Sequence, residues 1–479
     1  MMMMTIAWIA LPLFVGFSIY LLPKLDRYLA MGVVLVSVAY SLTLIQLSGT
    51  LDLQLLDNFG VRLLADSLSG YFILGNALVT TAVLLYCWPQ EKSAFFFTQL
   101  TVLHGSVNAV FICADFISLY VALEVVGIAA FLLIAYPRTD RSIWIGLRYL
   151  FVSNTAMLFY LIGAVLVYQA SGSFSYVGLQ QAPTDAIALI MLGMLTKGGI
   201  FVSGLWLPLT HSESETPVSA MLSGVVVKTG VFPLVRCALL VSDIQPILQI
   251  FSVATALLGV GYAIFEKDTK RMLAASTISQ LGFVIAAPAL AGFYALSHGL
   301  AKAALFLVAG NLPSRSFQEL RQTPIQLPVW GVLVVASLSI SGFPLVSGFN
   351  AKALTLKALD PWQSIVLTIA ATGTAIAFAK FIFLPFQRFP ESVKQPSAGF
   401  WPALALLIGG LITSNSFSFE AYTLSNINKA LLVIAAGWFI YSVWLRKLKL
   451  ELPRAAERLE HLIGAMSLIL VLLFSMVLA

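Results

Sequence analysis

Charged residues are scarce in this chain of 479 residues: they make up 10% of it, whereas hydrophobic residues make up 59%. An ordinary soluble domain carries roughly 25% charged and about 45–50% apolar residues. The 27 basic and 21 acidic side chains are too few to cover a soluble protein of this length. Together with a mean hydropathy of +0.94, this shortage predicts an integral membrane protein that has lipid as its solvent.

Residue patterns that hold cofactors or nucleic acids are also missing. The three cysteines, Cys87, Cys113 and Cys237, lie in apolar runs without pairing or metal-ligand spacing, as small core residues do. The basic residues form no stripe or tail, so the net charge of +6 does not indicate nucleic-acid binding. No GxGxxG, CxxC, HExxH, Walker A or haem-type histidine pair occurs. We therefore expect no cofactor, no metal and no nucleic acid.

Long apolar stretches recur along the whole chain, and their lengths of about 15 to 25 residues are typical of membrane-spanning helices. The first stretch lacks a basic n-region and a cleavage site, so we expect a spanning helix there rather than a signal peptide. The alternating segments of a transmembrane barrel are absent. The sequence predicts an all-α polytopic membrane protein with about 14–16 transmembrane helices. The sixteen candidate spans lie near 5–23, 28–48, 68–88, 94–113, 115–136, 146–170, 184–207, 217–240, 244–265, 272–290, 293–311, 327–356, 362–387, 399–414, 428–445 and 460–478.

The basic residues between the spans predict an orientation. Loops after odd-numbered spans, with their flanks, hold seventeen basic residues, and the opposite side holds four: Arg62, Arg236, Lys357 and Lys429. Because cytoplasmic loops are enriched in lysine and arginine, we expect both termini on the non-cytoplasmic side of a cell or thylakoid inner membrane. The seventeen are Lys24, Arg27, Lys92, Arg138, Arg141, Lys267, Lys270, Arg271, Arg315, Arg321, Arg388, Lys394, Arg446, Lys447, Lys449, Arg454 and Arg458.

A few ionisable residues lie inside the spans, where a charge costs several kcal/mol and usually marks a functional site. Lys197 precedes Pro208 by eleven residues and Lys228 follows Pro217 by eleven, which is about 16 Å of helix and half of a roughly 30 Å hydrocarbon core. Both lysines are therefore expected near the midplane. The full set inside the spans is Arg148, Lys197, Lys228, Lys302, Lys352 and Lys380, with Glu124, His104 and His298.

Two of these lysines lie next to sequences that interrupt helices. Gly198 and Gly199 follow Lys197 directly, and the SGFPLVSGFN sequence precedes Lys352. Broken helices in corresponding halves of a transporter indicate its ion site, because released backbone groups and water meet the charged side chain there. The spacing of the two lysines suits two repeats of about five spans each.

The buried charges fit either a structural or a proton-relay interpretation. Glu124 could form a structural ion pair with one lysine, but one carboxylate does not neutralise four lysines. Burial lowers the pKa of a lysine, whereas a nearby carboxylate raises it. A lysine subject to both effects can exchange protons. His298 and Lys302 share one helix face, and the relay extends to both. Arg148 and Lys380 near span ends, and the isolated His104, are interpreted as structural.

The motifs around these residues resemble a known family. SLYVALEVVGIAAFLLIAY, LTKGGIFVSGLWLP, TPVSAMLSGVVVKTGVFPLVR, EKDTKRMLAASTISQLGFVIA, LSHGLAKAALFLVAG and SLSISGFPLVSGFNAK occur in the order found in antiporter-like membrane subunits. Respiratory complex I and the multi-subunit Mrp sodium/proton antiporters share these subunits. The resemblance covers roughly residues 70 to 390, and LSGVVVKTGVFPLVR is most similar to the Mrp D-type subunit, closely followed by the N-type or D-type subunit of a complex I.

The resemblance implies two inverted half-channels joined by a central hydrophilic axis, with a Glu–Lys pair acting as a switch. We accordingly expect N-terminal helices at 1–93, a first antiporter half at 94–241, a second half at 242–390 and C-terminal helices at 391–479. The implied site residues are the glutamate of the fifth helix, the lysines of the seventh and eighth, the pair of the eleventh and the lysine of the twelfth: Glu124, Lys197, Lys228, His298, Lys302 and Lys352.

The chain departs from the family pattern around its WLP motif. The family commonly has His before that motif and Asp-Ala after it, whereas this chain has Ser203-Gly204-Leu205 and Leu209-Thr210. The linker that follows, from His211 to Glu215, is unusually polar and acidic. The last two predicted spans also exceed the usual fourteen.

The resulting hypothesis is a proton-translocating subunit of a multi-subunit Na⁺/H⁺ antiporter, without a redox centre of its own. Its expected partners are other membrane subunits, the lipid bilayer, protons and sodium. A proton-pumping subunit of an NADH- or ferredoxin-quinone oxidoreductase is the alternative with the same chemistry. A scaffold that anchors partners without transport, and a solute carrier, are the alternatives from other classes.

Overall fold

The chain folds into a bundle of long helices. A computed structural model describes residues 1–47, 49–56, 60–388, 395–417, 419–446 and 458–478. In these ranges, twelve helices are long and apolar enough to cross a membrane, so the chain is an all-α multi-pass membrane protein. The α-helices are α1 Met2–Leu21, α2 Asp26–Ile45, α3 Ser67–Cys87, α4 Ala94–Val110, α5 Phe116–Ile134, α6 Asp140–Ser171, α7 Thr184–Gly198, α8 Leu207–Glu213, α9 Thr216–Met221, α10 Lys228–Leu240, α11 Ile244–Phe265, α12 Thr269–Ala286, α13 Ala291–Ala309, α14 Phe317–Leu320, α15 Leu327–Ser341, α16 Ser347–Lys357, α17 Pro361–Ile382, α18 Phe400–Thr413, α19 Leu424–Ile440 and α20 Leu459–Leu478.

Strands are few and short in the described residues. Strands β1 Leu51–Gln54 and β2 Arg62–Ala65 pair antiparallel, and the two-residue strands β3 Ile325–Gln326 and β4 Phe386–Gln387 pair in parallel. Short 3₁₀ segments cover Pro23–Leu25, Tyr176–Gln180, Phe201–Trp206, Pro288–Leu290, Ser414–Phe417 and Phe419–Ala421, and π-helical segments cover Leu222–Val226 and Tyr441–Leu445.

Each of the sixteen predicted apolar stretches contains a helix, and the boundaries agree within a few residues at most positions. Among the helix starts, the largest difference is at α6, which begins at Asp140 although the apolar pattern predicts a start near 146. Thr139 and Ser142 form a capping box there, in which each side chain bonds the backbone of the other, and this starts the helix before its apolar run. The boundary predicted at 390 lies outside the described residues, as do Lys394, Lys447, Lys449 and Arg454.

Ion pairs at one end of the bundle join the loops that follow odd-numbered spans. Arg315 contacts Asp268 at 2.9 Å and Glu213 at 3.7 Å, while Lys92 contacts Glu215 at 2.8 Å. These residues come from four loops that the positive-inside pattern assigns to the same side. The helices therefore alternate in direction as the span count predicts.

At the opposite end, Asp66 holds two helices together. Its carboxylate accepts two hydrogen bonds from Arg236 at 2.5 and 2.6 Å, and it caps α3 by accepting a third from the Ser69 backbone N–H. Burial alone would raise the pKa of the Asp66 carboxyl, but the hydrogen bonds and charge of Arg236 lower that pKa below its ordinary value.

We expect Asp66→Asn to lower the free energy of unfolding at neutral pH by about 1–3 kcal/mol, because asparagine still caps the helix but no longer neutralises Arg236. A carboxyl whose pKa is lowered in the folded state stabilises the fold above its unfolded pKa of about 3.9, and loses this effect as the pH falls through the folded value. Melting in detergent at neutral pH and below pH ~4 measures the difference. If Asp66→Asn destabilises the protein equally at both values, the prediction is wrong.

The last two helices each contact one half of the protein. One face of α20, formed by Leu462, Met466, Ile469 and Leu473, is buried at the helical spacing. This helix packs against α6, α7 and the 3₁₀ segment that follows α7, whereas α19 packs against α16 and α17. Both helices are long and apolar enough to cross a membrane.

Candidate functional site

The first interruption of a spanning helix lies directly after Lys197. Helix α7 ends at Gly198, and Gly199 has a left-handed backbone with φ +69°. The N–H of Ile200 donates to the carbonyl of Leu195 at 2.9 Å, which is the closing bond of a Schellman motif. The indole N–H of Trp206 donates to the released carbonyl of Thr196 at 3.0 Å. We refer to residues 199–206 as the first break.

Lys197 extends from the first break into the space between α5 and α6. Its side chain is buried, and its Nζ donates a hydrogen bond to the hydroxyl of Ser153 at 2.5 Å. The same Nζ lies 6.0 Å from the centre of the Tyr149 ring. On α5, a Cβ atom at Gly127 would lie only 3.1 Å from this Nζ, so the absence of a side chain there makes room for the ammonium group.

Glu124 lies one turn before Gly127 on α5, on the side of Lys197. The two charges act on each other electrostatically, but no ion pair within 4.0 Å joins them. One carboxylate oxygen of Glu124, Oε1, is buried without a hydrogen-bond partner in the described part of the chain. The structure thus places the predicted Glu–Lys pair side by side, with a carboxylate that has spare hydrogen-bonding capacity.

A π-helical segment positions Lys228. Between α9 and α10, the wider turn at Leu222–Val226 leaves carbonyls without their usual helical partners. The Nζ of Lys228 donates to two of them, the Ser223 carbonyl at 3.0 Å and the Gly224 carbonyl at 2.6 Å. A cavity of about 10 Å³ adjoins this group, close to the smallest volume that holds one water molecule.

Helix α13 brings His298 and Lys302 next to Lys228. Gly299 is the point of approach, since a Cβ atom there would lie 2.8 Å from the carbonyl oxygen of Gly224 and 3.7 Å from Lys228 Nζ. Both ring nitrogens of His298 are buried without a hydrogen-bond partner among the described residues. The imidazole lies within electrostatic range of three lysines, Lys228, Lys302 and Lys352.

Lys302 is completely buried and forms no ion pair within the described part of the chain. Its Nζ donates to the Leu273 carbonyl at 2.9 Å and to the hydroxyl of Ser276, both on α12. The ring of Phe378 lies 5.3 Å away from the same atom. A carbonyl, a hydroxyl and an aromatic face therefore stabilise the ammonium group in place of a carboxylate.

A second interruption, in the span that carries Lys352, repeats the geometry of the first. Helix α15 ends at Ser341, and Gly342 has φ +84°. The N–H of Phe343 donates to the carbonyl of Leu338 at 2.9 Å, as Ile200 does to Leu195 in the first break. Lys352, on α16, donates to the carbonyl of Ile340 at 2.9 Å, and its Nζ lies 5.1 Å from the Phe283 ring centre. We refer to residues 342–346 as the second break.

We expect Gly342→Ala to cost about 1–2 kcal/mol of stability, because an L-residue is strained in the left-handed region. A Cβ atom at this position would also lie 3.2 Å from Cδ of Lys352. Gly261→Ala is the matched control, since a Cβ atom there meets nothing within 4 Å. Melting temperatures of the two variants provide the test, and equal values would contradict a requirement for glycine at the second break.

Two buried basic side chains were not recognised as site residues from the sequence. The imidazole of His211, on α8, is completely buried and is within electrostatic range of Lys228, Lys270 and Lys302. Lys270, counted above as a loop residue, is buried and donates to the Ser214 carbonyl at 3.1 Å. The polar linker from His211 to Glu215 was the available signal for both.

Two further basic residues inside the spans have structural partners. His104 is hydrogen-bonded through both ring nitrogens, to Ser37 at 2.9 Å and to Thr80 at 3.3 Å. Lys380 donates to the carbonyls of Ala263 and Glu266, at 3.0 and 2.8 Å, and thereby caps the C-terminal end of α11. Within the described residues, no three His, Cys, Asp or Glu side chains come together as metal ligands would.

A family model provides the deciding comparison. The model described as "NADH:quinone oxidoreductase/Mrp antiporter, TM" matches residues 113–377, which is more than half of the chain. The chain belongs to this family. The matched range of this NADH:quinone oxidoreductase/Mrp antiporter domain contains both breaks and all six predicted site residues.

Two relatives within the family belong to different kinds of assembly. NADH-quinone oxidoreductase subunit N of Desulforudis audaxviator is 30% identical over 382 residues, which cover 71% of this chain and 75% of the relative. The D-type subunit of a Na(+)/H(+) antiporter from Alkalihalophilus pseudofirmus is 26% identical over 419 residues, which cover 78% of this chain and 84% of the relative.

Solved structures confirm the fold. A chain of the membrane-bound sulfane sulfur reductase, an archaeal respiratory membrane complex, matches with a TM-score of 0.77 at 20% identity, covering 91% of this chain and 98% of that one. A chain of the Mrp complex from Dietzia sp. DQ12-45-1b matches with a TM-score of 0.75 at 19% identity, and the match covers 93% of this chain and 99% of that one. At these identities the likeness establishes the fold alone.

Proposed function

We propose that this chain is the proton-translocating membrane subunit of a multi-subunit cation/proton antiporter, and that sodium is the exchanged cation. The observation that carries the proposal is the way Lys197, Lys228, Lys302 and Lys352 are held. Each ammonium group bonds to carbonyl or hydroxyl oxygens, and none of the four forms an ion pair with a described residue. Such a group can lose its proton without leaving a buried carboxylate unpaired.

The central steps of the relay run through the second half of the site. A proton leaves the ammonium of Lys228 as the imidazole of His298 accepts it at one ring nitrogen, and His298 then releases a proton from the other nitrogen towards Lys302 or Lys352. The free ring nitrogens of His298 suit this role because neither is committed to a hydrogen bond. The small cavity beside Lys228 offers room for one water molecule next to the ammonium group that releases this proton.

Glu124 and Lys197 form the switch in this scheme. At an effective dielectric constant near 20, two unit charges about 4 Å apart interact by roughly 4 kcal/mol, and the interaction weakens as the distance grows. A movement of either side chain by a few ångströms therefore changes the cost of charging Lys197. The unpartnered Oε1 of Glu124 supports such movement, because the carboxylate makes no bond there that would hold it in place.

The proposal includes the division of the chain into two inverted halves, at 94–241 and 242–390. The two matching Schellman-type breaks support it, and a repeat of five spans inverts its direction because five is odd. We also propose the basic end of the bundle as the cytoplasmic side of an inner membrane, with both termini on the other side. The solved complexes of related fold support other membrane subunits as partners.

A second candidate is a proton-pumping subunit of an NADH- or ferredoxin-quinone oxidoreductase. The relative from Desulforudis audaxviator, which carries the name of such a subunit, favours it. Both candidates use the same relay in this chain, and they differ in the energy source of the assembly. The proteins that co-purify with the chain therefore discriminate between them.

The test is transport by the co-purified assembly in sealed vesicles. With no electron donor present, an imposed sodium gradient should drive proton movement that a pH-sensitive dye reports. Proton movement that instead requires oxidation of NADH or ferredoxin would support the second candidate. If lysine substitutions in the relay impair assembly but leave transport intact, the chain is a scaffold and the proposal fails.

A further inference from the structure

A large cavity opens beside Lys352, at the end of the bundle opposite to the basic loops. It has a volume of about 460 Å³ and lies between α16, α17 and α19. Lys352 forms part of its wall, and Lys357 and Lys429 line it together with Asn426. The relay proposed above explains Lys352 but gives no role to the cavity or to the other two lysines.

The shape of the cavity follows from the packing of α17 and α19. The two helices touch at Gly437, where an added Cβ atom would lie 2.7 Å from Cβ of Ala375 and 3.0 Å from the carbonyl oxygen of Thr372. Towards their N-terminal ends the helices separate, and Ser364 and Asn426 face the cavity there. The result is a wedge-shaped groove that is closed near Gly437 and widens towards the membrane surface.

The charges in this groove are unbalanced. Of the four basic residues assigned to this side, Arg62 and Arg236 form ion pairs with acidic side chains. The other two, Lys357 and Lys429, are exposed and make no hydrogen bond or ion pair among the described residues, and both line the groove. None of the described residues that line it is an aspartate or a glutamate. An anion placed there would give this positively charged lining a counter-charge.

Most of the remaining lining is apolar, with hydroxyl groups from Ser341, Ser364 and Thr368. Phe349, Leu356 and Val433 contribute to the wall, and Leu432, which is 69% exposed, forms part of the rim. On the outer face of α17, Ile369 is 60% exposed. The volume and the apolar walls exceed the needs of a free inorganic anion. They suit a molecule that joins an anionic head to hydrocarbon chains.

We propose that this groove binds one anionic phospholipid, whose phosphate bonds Lys357 and Lys429 and whose acyl chain lies between α17 and α19. The interaction joins two ammonium groups to a phosphate at the membrane surface, where each such contact contributes about a fivefold gain in affinity. The apolar walls add contact that a soluble anion does not have.

The site has a consequence for transport, which rests on the function proposed above. Lys352 shares the groove with the two head-group lysines, so a bound phosphate would attract its ammonium group as well. Removal of the lipid would then change the last step of the relay. Lipid binding itself does not depend on that function, so an experiment can disprove the lipid site without disproving the proposed transport function, and the reverse.

Native mass spectrometry of the full chain, extracted from vesicles of phosphatidylcholine with or without phosphatidylglycerol, provides the test. We expect one retained phosphatidylglycerol and a loss of retention of about thirtyfold in the double variant Lys357→Gln, Lys429→Gln, because two head-group contacts are removed. Lys357→Arg with Lys429→Arg should retain the lipid. Lys24→Gln, at an exposed lysine at the other end, is the matched control.

Several outcomes would overturn the proposal. Equal retention of phosphatidylcholine would show that the groove does not select charge, and an equal loss in the Lys24 variant would show a general surface effect. Displacement of the lipid by inorganic phosphate would identify a soluble anion as the occupant. A co-purifying acidic protein segment that protects Lys429 from amine labelling, in place of lipid, would identify a partner surface.

Discussion

Glu124→Gln is expected to reduce proton transport by the assembled protein by about a hundredfold. Glutamine keeps the shape of the side chain but removes the charge that acts on Lys197 from the neighbouring α5. At an effective dielectric constant near 20, two unit charges about 5.5 Å apart interact by about 3 kcal/mol, which corresponds to roughly two orders of magnitude. Dye-reported proton uptake into sealed vesicles measures the effect.

The controls for Glu124 separate charge from folding. Glu91→Gln removes the same charge from an exposed loop outside the proposed relay, so it should leave transport unchanged. The Glu124→Gln protein should melt at the wild-type temperature or above, because the buried Oε1 makes no hydrogen bond that the substitution would break. Near-normal transport in Glu124→Gln would remove the switch from the mechanism.

The second large effect is expected at His298, and it is paired with an opposite effect at His104. His298→Leu should abolish transport without lowering stability, because its buried ring nitrogens bond nothing among the described residues while its titration carries the proton. His104→Leu should instead cost about 1–3 kcal/mol of stability, because it removes the buried hydrogen bonds of the imidazole to Ser37 and Thr80.

The test measures two quantities for each histidine variant, the transport per folded molecule and the melting temperature. Full transport in the His298→Leu protein would exclude His298 from the relay. A transport defect in correctly folded His104→Leu protein would mean that the network of α2, α3 and α4 also takes part in proton movement. Both side chains are buried histidines on apolar helices, and the sequence separates them only through Lys302, which lies one turn after His298 on the same helix face.

The scarcity of charge made the fold predictable. In lipid, a long apolar segment must satisfy its backbone hydrogen bonds internally, and a helix does so. The positions of the apolar runs were therefore enough to locate the sixteen helical stretches. Ion pairs such as Arg315 with Asp268 then join loops that the basic-residue pattern placed on one side. Helix starts such as that of α6 were less predictable, because a capping box at Thr139 and Ser142 precedes the apolar run.

The sequence indicated the breaks around the candidate site but not the contacts of its residues. Glycines beside Lys197 and before Lys352 indicated both breaks. The hydrogen bonds that hold Lys228 were not predictable, because a π-helical turn depends on packing against α13 at Gly299. Lys270 was missed for a related reason: an ion-pair-rich loop surrounds it, although its own Nζ points inwards to Ser214.

The packing of α20 has a consequence for how the protein is made. This helix covers α7 and the first break, yet it is synthesised roughly half the chain later. During translation, the surface that α20 will cover must remain lined by lipid or by a membrane chaperone until the helix is inserted. The packing around α7 is therefore completed last, and a ribosome that stalls before Leu459 would leave the first break uncovered beside Lys197.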